Sequence, residues 1–92
     1  MKISKEKREK IQEQILAFLY SISPKPVFTL YIAREIARDE EFVKKLLIEL
    51  KEKNLIKEIK KNPKGKPYMR RSRWRLSDSA HIVYKNKQNN TN

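Results

Sequence analysis

Apolar residues recur at helical spacing in the first part of the chain. Ile11, Ile15, Phe18 and Ile22 lie three or four residues apart, and Leu16 and Leu19 widen the stripe. Ser4 stands where an N-cap belongs, with Glu6 in the first turn. Ser23-Pro24-Lys25-Pro26 ends this helix, because proline has no backbone N–H to donate. Val27-Phe28 is long enough only for a bridging strand. Thr29 fits the N-cap of a second helix over 30–38, with Leu30, Ile32, Ala33 and Ile36 as its buried side. Asp39 caps a third helix over 40–53, with Glu40 and Glu41 at the positive end of its dipole. Val43, Leu46, Leu47 and Leu50 form its apolar stripe. Asn54 follows where a left-handed C-cap residue belongs.

The period then changes. Leu55 to Ile59 reads as a strand, and Asn62-Pro63-Lys64-Gly65-Lys66-Pro67 is a cluster of turn formers. Ser72 to Leu76 alternates, with Trp74 and Leu76 on one face and Arg71, Arg73 and Arg75 on the other. The pattern predicts a hairpin with a long tip. Ser77 or Asp78 caps a short last helix through Ile82, Val83 and Tyr84. A polar stretch without apolar residues closes the chain. The expected organisation is one folded domain over 1–85 and a disordered tail over 86–92. The fold class is mainly α with a small β-hairpin (α+β).

Composition narrows the chemistry. With 92 residues and 38% hydrophobic content the core is small. The absence of cysteine excludes a disulfide scaffold, a cysteine zinc site and a thiol nucleophile. His81 is the only histidine and has no metal-binding cluster around it, so no metal or other cofactor is expected. No nucleophile–base pairing and no phosphate-binding glycine loop is present, so no enzymatic activity is expected. No apolar run approaches a membrane span and no signal-peptide core follows the N-terminus, so the expected location is the cytoplasm, without a membrane partner.

Charge changes the picture most. The net charge is +12. Two-thirds of that excess lies between Lys57 and Arg75, where nine basic residues face one acid. Such a patch predicts a polyanionic partner. The candidates for phosphate contact there are Lys60, Lys61, Lys64, Lys66, Arg70, Arg71, Arg73 and Arg75, with Tyr68 among them to pack on a sugar or bond a phosphate. Trp74, beside Leu76, is expected in the core rather than as a base-stacking platform.

The second and third helices carry a finer pattern. Ile32-Ala33, Ile36, Asp39 and Val43 are followed by Leu47, Leu50 and Asn54-Leu55-Ile56. This series resembles the helix-turn-helix of winged-helix transcription regulators, in which a Gly-Leu-Ile opens the wing hairpin. The resemblance implies the order helix, short strand, helix, helix, β-hairpin wing, short C-terminal helix. It also implies binding to double-stranded DNA, with the third helix in the major groove and the basic hairpin on the phosphate backbone. Glu41, Phe42, Lys44, Lys45 and Ile48 then face the bases, and Thr29 adds a backbone contact at a helix end. Many relatives are homodimers, for which the first and last helices are the candidate surfaces here. Asn54 replaces the usual glycine, Ala37 the usual turn glycine, and Arg38 a usually apolar residue, which suggests a longer second helix.

The outer face of the third helix is not basic, because Glu41, Lys45, Ile48 and Glu52 lie on it. A glutamate near phosphates costs affinity unless it accepts a hydrogen bond from cytosine N4. An adaptor that binds a protein through this helix therefore stays open, as does a non-specific nucleic-acid binder, RNA included.

Overall fold

The computed structural model of the chain describes residues 4–60 and 72–89, without the side chains of 88 and 89. In order, these form α1 (Lys5–Ile22), β1 (Val27–Phe28), α2 (Thr29–Glu35), α3 (Glu40–Glu52), β2 (Ile56–Ile59), β3 (Arg73–Leu76) and α4 (Asp78–Asn89). The strands make one antiparallel sheet in the order β1-β3-β2. Val27 pairs with Trp74, and Glu58 pairs with Trp74 from the other side. The element order is the expected winged-helix order.

One core joins the helices to the inner face of the sheet. Ile15 and Leu19 of α1, Ile32 of α2, Val43, Leu46 and Leu47 of α3, and Trp74 of β3 are all fully buried. Burying an indole this completely requires a partner for its N–H. Trp74 Nε1 donates to Thr29 Oγ1 at 2.8 Å.

That contact corrects the expectation for Thr29. The N-cap of α2 is Phe28, which makes no side-chain cap bond, and Thr29 is already helical. Its hydroxyl faces the sheet because the indole needs an acceptor there. Leu30, expected inside, is exposed, and only Ile32 and Ala33 of α2 are buried. Ser4, Asp39 and Ser77 do cap their helices, accepting from the backbone N–H of Lys7, Phe42 and Ala80.

The second helix is shorter than expected, not longer. It ends at Glu35, and Ala37 takes a left-handed conformation with φ 55°. Arg38 N–H then bonds the Ala33 carbonyl and Ala37 N–H bonds that of Arg34. Asn54, at φ 62°, ends α3 the same way: Leu55 N–H reaches the Leu50 carbonyl and Asn54 N–H that of Lys51. Both helices thus close with the double hydrogen bond typical of a glycine C-cap, although neither has glycine. The short connection to Asp39 forces the reversal at Ala37. Chain direction there outweighs the preference of alanine for helix.

The last helix also departs from expectation. It continues through Asn89, past the boundary set at 85. Once nucleated on the Ser77 cap, a helix extends at little cost through residues such as Lys85, Lys87 and Gln88.

Candidate nucleic-acid interface

The outward face of α3 follows from its inward one. Once Val43, Leu46, Leu47 and Leu50 are buried, the helical period leaves Glu41, Lys44, Lys45, Ile48 and Glu52 in solvent. Ile48 is 42% exposed in the middle of this face. Phe42 is different: it is half-buried and packs against the core.

Other charges of α3 are engaged within the chain. Glu49 forms an ion pair with Arg8 and accepts from Gln12 Nε2 at 3.5 Å, both on α1. It is therefore turned away from the outer face. Lys51 Nζ donates to Glu58 of β2 at 2.7 Å. On the outer face Glu41 and Glu52 offset Lys44 and Lys45, and Glu40 adds one further exposed acid at the start of the helix.

Beside α3 lies an open groove of about 580 Å³, lined by Phe28, Thr29, Leu30, Glu40, Glu41, Lys44 and Ser72. It brings together the start of α2, the first turns of α3 and the entry to β3. Thus Thr29, Glu41 and Lys44, expected as contacts from separate arguments, share one concave surface. Lys45 and Ile48 lie outside that lining. Leu30 and Ser72 were not expected in it. Leu30 read as core from its spacing, and Ser72 had no signal beyond its place before an alternating strand.

The basic hairpin divides into three parts. Lys61, Lys64, Lys66, Tyr68, Arg70 and Arg71 lie outside the described residues. Lys60 is exposed where β2 ends, 3.8 Å from the Glu58 carboxylate. Arg73 and Arg75 lie on β3 and are half-buried. The Arg73 guanidinium sits 5.8 Å from the centre of the Phe28 ring. Arg75 donates to the Leu76 carbonyl at 2.9 Å and pairs with Asp78 at 3.4 Å. Lys57 approaches the same Asp78 at 3.9 Å. Alternation along a strand reports which face a residue occupies, and not whether an acid from the next helix waits there.

His81 packs against Tyr20 of α1, ring centres 5.3 Å apart, and Tyr84 stacks on the same ring at 5.5 Å. Burial pushes the Tyr84 hydroxyl above its ordinary value, and the Glu13 charge adds to the rise. Ile82 and Val83 on α4 are each 57% exposed. Among the described residues, no helix is long and apolar enough to cross a membrane.

No protein-family model and no curated protein matches the chain. Solved structures do. A complex of MepR from S. aureus with DNA superposes with a TM-score of 0.73 at 22% identity, over 91% of this chain and 66% of that one. A mutant of MepR, from a multidrug-resistant S. aureus clinical isolate, gives 0.70 at 22% identity, over 90% of this chain and 57% of that one. The Zalpha domain of Carassius auratus PKZ, in complex with Z-DNA, gives 0.59 at 24% identity, over 76% of this chain and 97% of that domain. The chain therefore has the winged-helix fold, and it spans little more than half the length of the MepR mutant.

Proposed function

We propose that the chain is a DNA-binding transcription regulator. The outward face of α3, through Glu41, Lys44, Lys45 and Ile48, enters the major groove. The basic segment from Lys60 to Arg71 follows the phosphate backbone, and Lys44 and the start of α2 flank it from the groove. One observation carries this reading. The fold is shared with proteins solved on DNA, and its α3 presents an outer face whose charges make no ion pair among the described residues. That helix runs directly into the hairpin segment that holds two-thirds of the net charge. A neutral reading helix and a strongly basic hairpin divide the work. Phosphate contacts supply affinity and register, and base edges supply sequence.

The test is selection from a random duplex pool at two salt concentrations, followed by sequencing. A recovered motif that persists at the higher salt supports base reading by α3. Binding without a motif that collapses with salt would leave only a phosphate grip and end the regulator reading.

A second reading rests on Ile48. A half-exposed isoleucine at the centre of a charge-balanced face also suits a protein partner, as in an adaptor. Self-association belongs to the first reading. Ile82 and Val83 on α4, with the aromatic stack of Tyr20, His81 and Tyr84 at the α1–α4 junction, supply its surface. Sedimentation of the chain with I82S and V83S tests it.

A further inference from the structure

Glu58 is the only acid between Lys57 and Arg75. If that segment served only to be positive, an acid within it would be a loss. Its surroundings explain its presence. The side chain is 14% exposed, and its two oxygens are divided between three elements. Oε1 accepts from Lys51 Nζ at 2.7 Å, on the last turn of α3. The same oxygen lies 3.8 Å from Lys60 Nζ, where the first arm of the hairpin leaves the sheet. Oε2 accepts from the Ser72 hydroxyl, where the second arm enters it. Burial by itself would raise the carboxyl. The hydrogen bonds from Lys51 and Ser72 and the charges of Lys51 and Lys60 outweigh it and hold the group below its ordinary 4.5. Glu58 is therefore ionised at neutral pH, as charge-assisted bonds to a lysine and a hydroxyl require.

On the reading that the chain binds duplex DNA, we propose that Glu58 is a positioning residue. Its carboxylate ties both arms of the hairpin to the end of α3, so that wing and helix meet the duplex at one set angle. Trp74, its cross-strand neighbour, makes the second tie through Thr29 at the start of α2. Two ties to two different helices oppose both a swing and a twist of β2 and β3 relative to α2 and α3. Fixing that direction before binding lowers the ordering cost on DNA.

Simple electrostatics predicts a different outcome, and E58Q separates the two. Removing a negative charge and releasing Lys51 and Lys60 should tighten DNA binding and steepen its salt dependence if charge is all that matters. The positioning role predicts the reverse. E58Q should bind a selected duplex about tenfold more weakly, the loss of a charged hydrogen bond, with a shallower salt slope because fewer phosphates are reached together. Equal or tighter binding with a steeper slope overturns the proposal.

Amide hydrogen exchange on the free protein decides the point without DNA. E58Q should speed exchange in residues 56–59 and 73–76 and leave α1 and α3 unchanged. Unchanged protection in those strands also overturns the tie. If E58Q does not fold, K51M, at an exposed position, should produce the same local rise in exchange, and no rise overturns it. Failure of the unmodified chain to bind any duplex would instead count against the DNA-binding reading, and the exchange result would still stand.

Discussion

The outer face of α3 and the hairpin of β2 and β3 differ most in their charge. The first carries balanced charge around a half-exposed isoleucine. The second belongs to a segment with nine basic residues and one acid. A reading surface is weakened by indiscriminate attraction, whereas a phosphate grip depends on it. The difference also appears inside the fold. On α3 the structure turns Glu49 away to α1 and Lys51 away to Glu58, which leaves the outer face sparse. On the hairpin, Arg73 lies beside the Phe28 ring and Arg75 pairs with Asp78.

The largest effect should come from the grip. Replacing Lys64, Lys66, Arg70 and Arg71 by glutamine should weaken DNA binding about a hundredfold or more for all sequences and reduce the salt slope by roughly three to four. Titrations of selected and scrambled duplexes at several salt concentrations would read it. A change confined to the selected duplex would break the division between the two regions. Charge reversal by K44E and K45E should act the other way. It should cost about 1–3 kcal/mol of discrimination between selected and scrambled duplexes, with a smaller change on the scrambled one.

Stability predictions sharpen the comparison from beneath. T29V removes the acceptor of the buried Trp74 N–H and should cost about 1–3 kcal/mol in denaturant unfolding, because the indole keeps its desolvation without its bond. The two left-handed helix ends should differ. A37G should stabilise by about 0.5–1 kcal/mol, since alanine is strained at φ 55°. N54G should gain less, because asparagine tolerates that region. The smallest effect is one of pH. Glu58 is lowered in the folded chain, so its contribution is complete above its ordinary 4.5 and is lost as pH falls through the lower folded value. Unfolding midpoints measured across that acid range should fall less steeply for E58Q than for the unmodified chain.

Much of the frame was legible in sequence because it depends on local rules. The caps at Ser4 and Asp39, the stop at Ser23-Pro24, the left-handed Asn54 and the inward Trp74 each follow from a residue and its near neighbours. Ala37 failed because nothing local asks alanine to leave the helical region. The turn between two crossing helices asks it. Thr29 failed for a related reason. Its spacing suited a cap, while its actual partner is 45 residues away.

The order of elements and the concentration of positive charge were readable in the linear chain, since periodicity and composition are properties of the chain alone, and the winged-helix fold was readable there only by resemblance. Which charges remain available became known only from the packed molecule. Whether Arg75 meets Asp78, whether Glu49 meets Arg8, and whether Glu58 gathers Lys51, Lys60 and Ser72 depends on distances of a few ångströms between elements. Ionic and hydrogen-bonding contacts decay within that range, so spacing along the chain does not encode them.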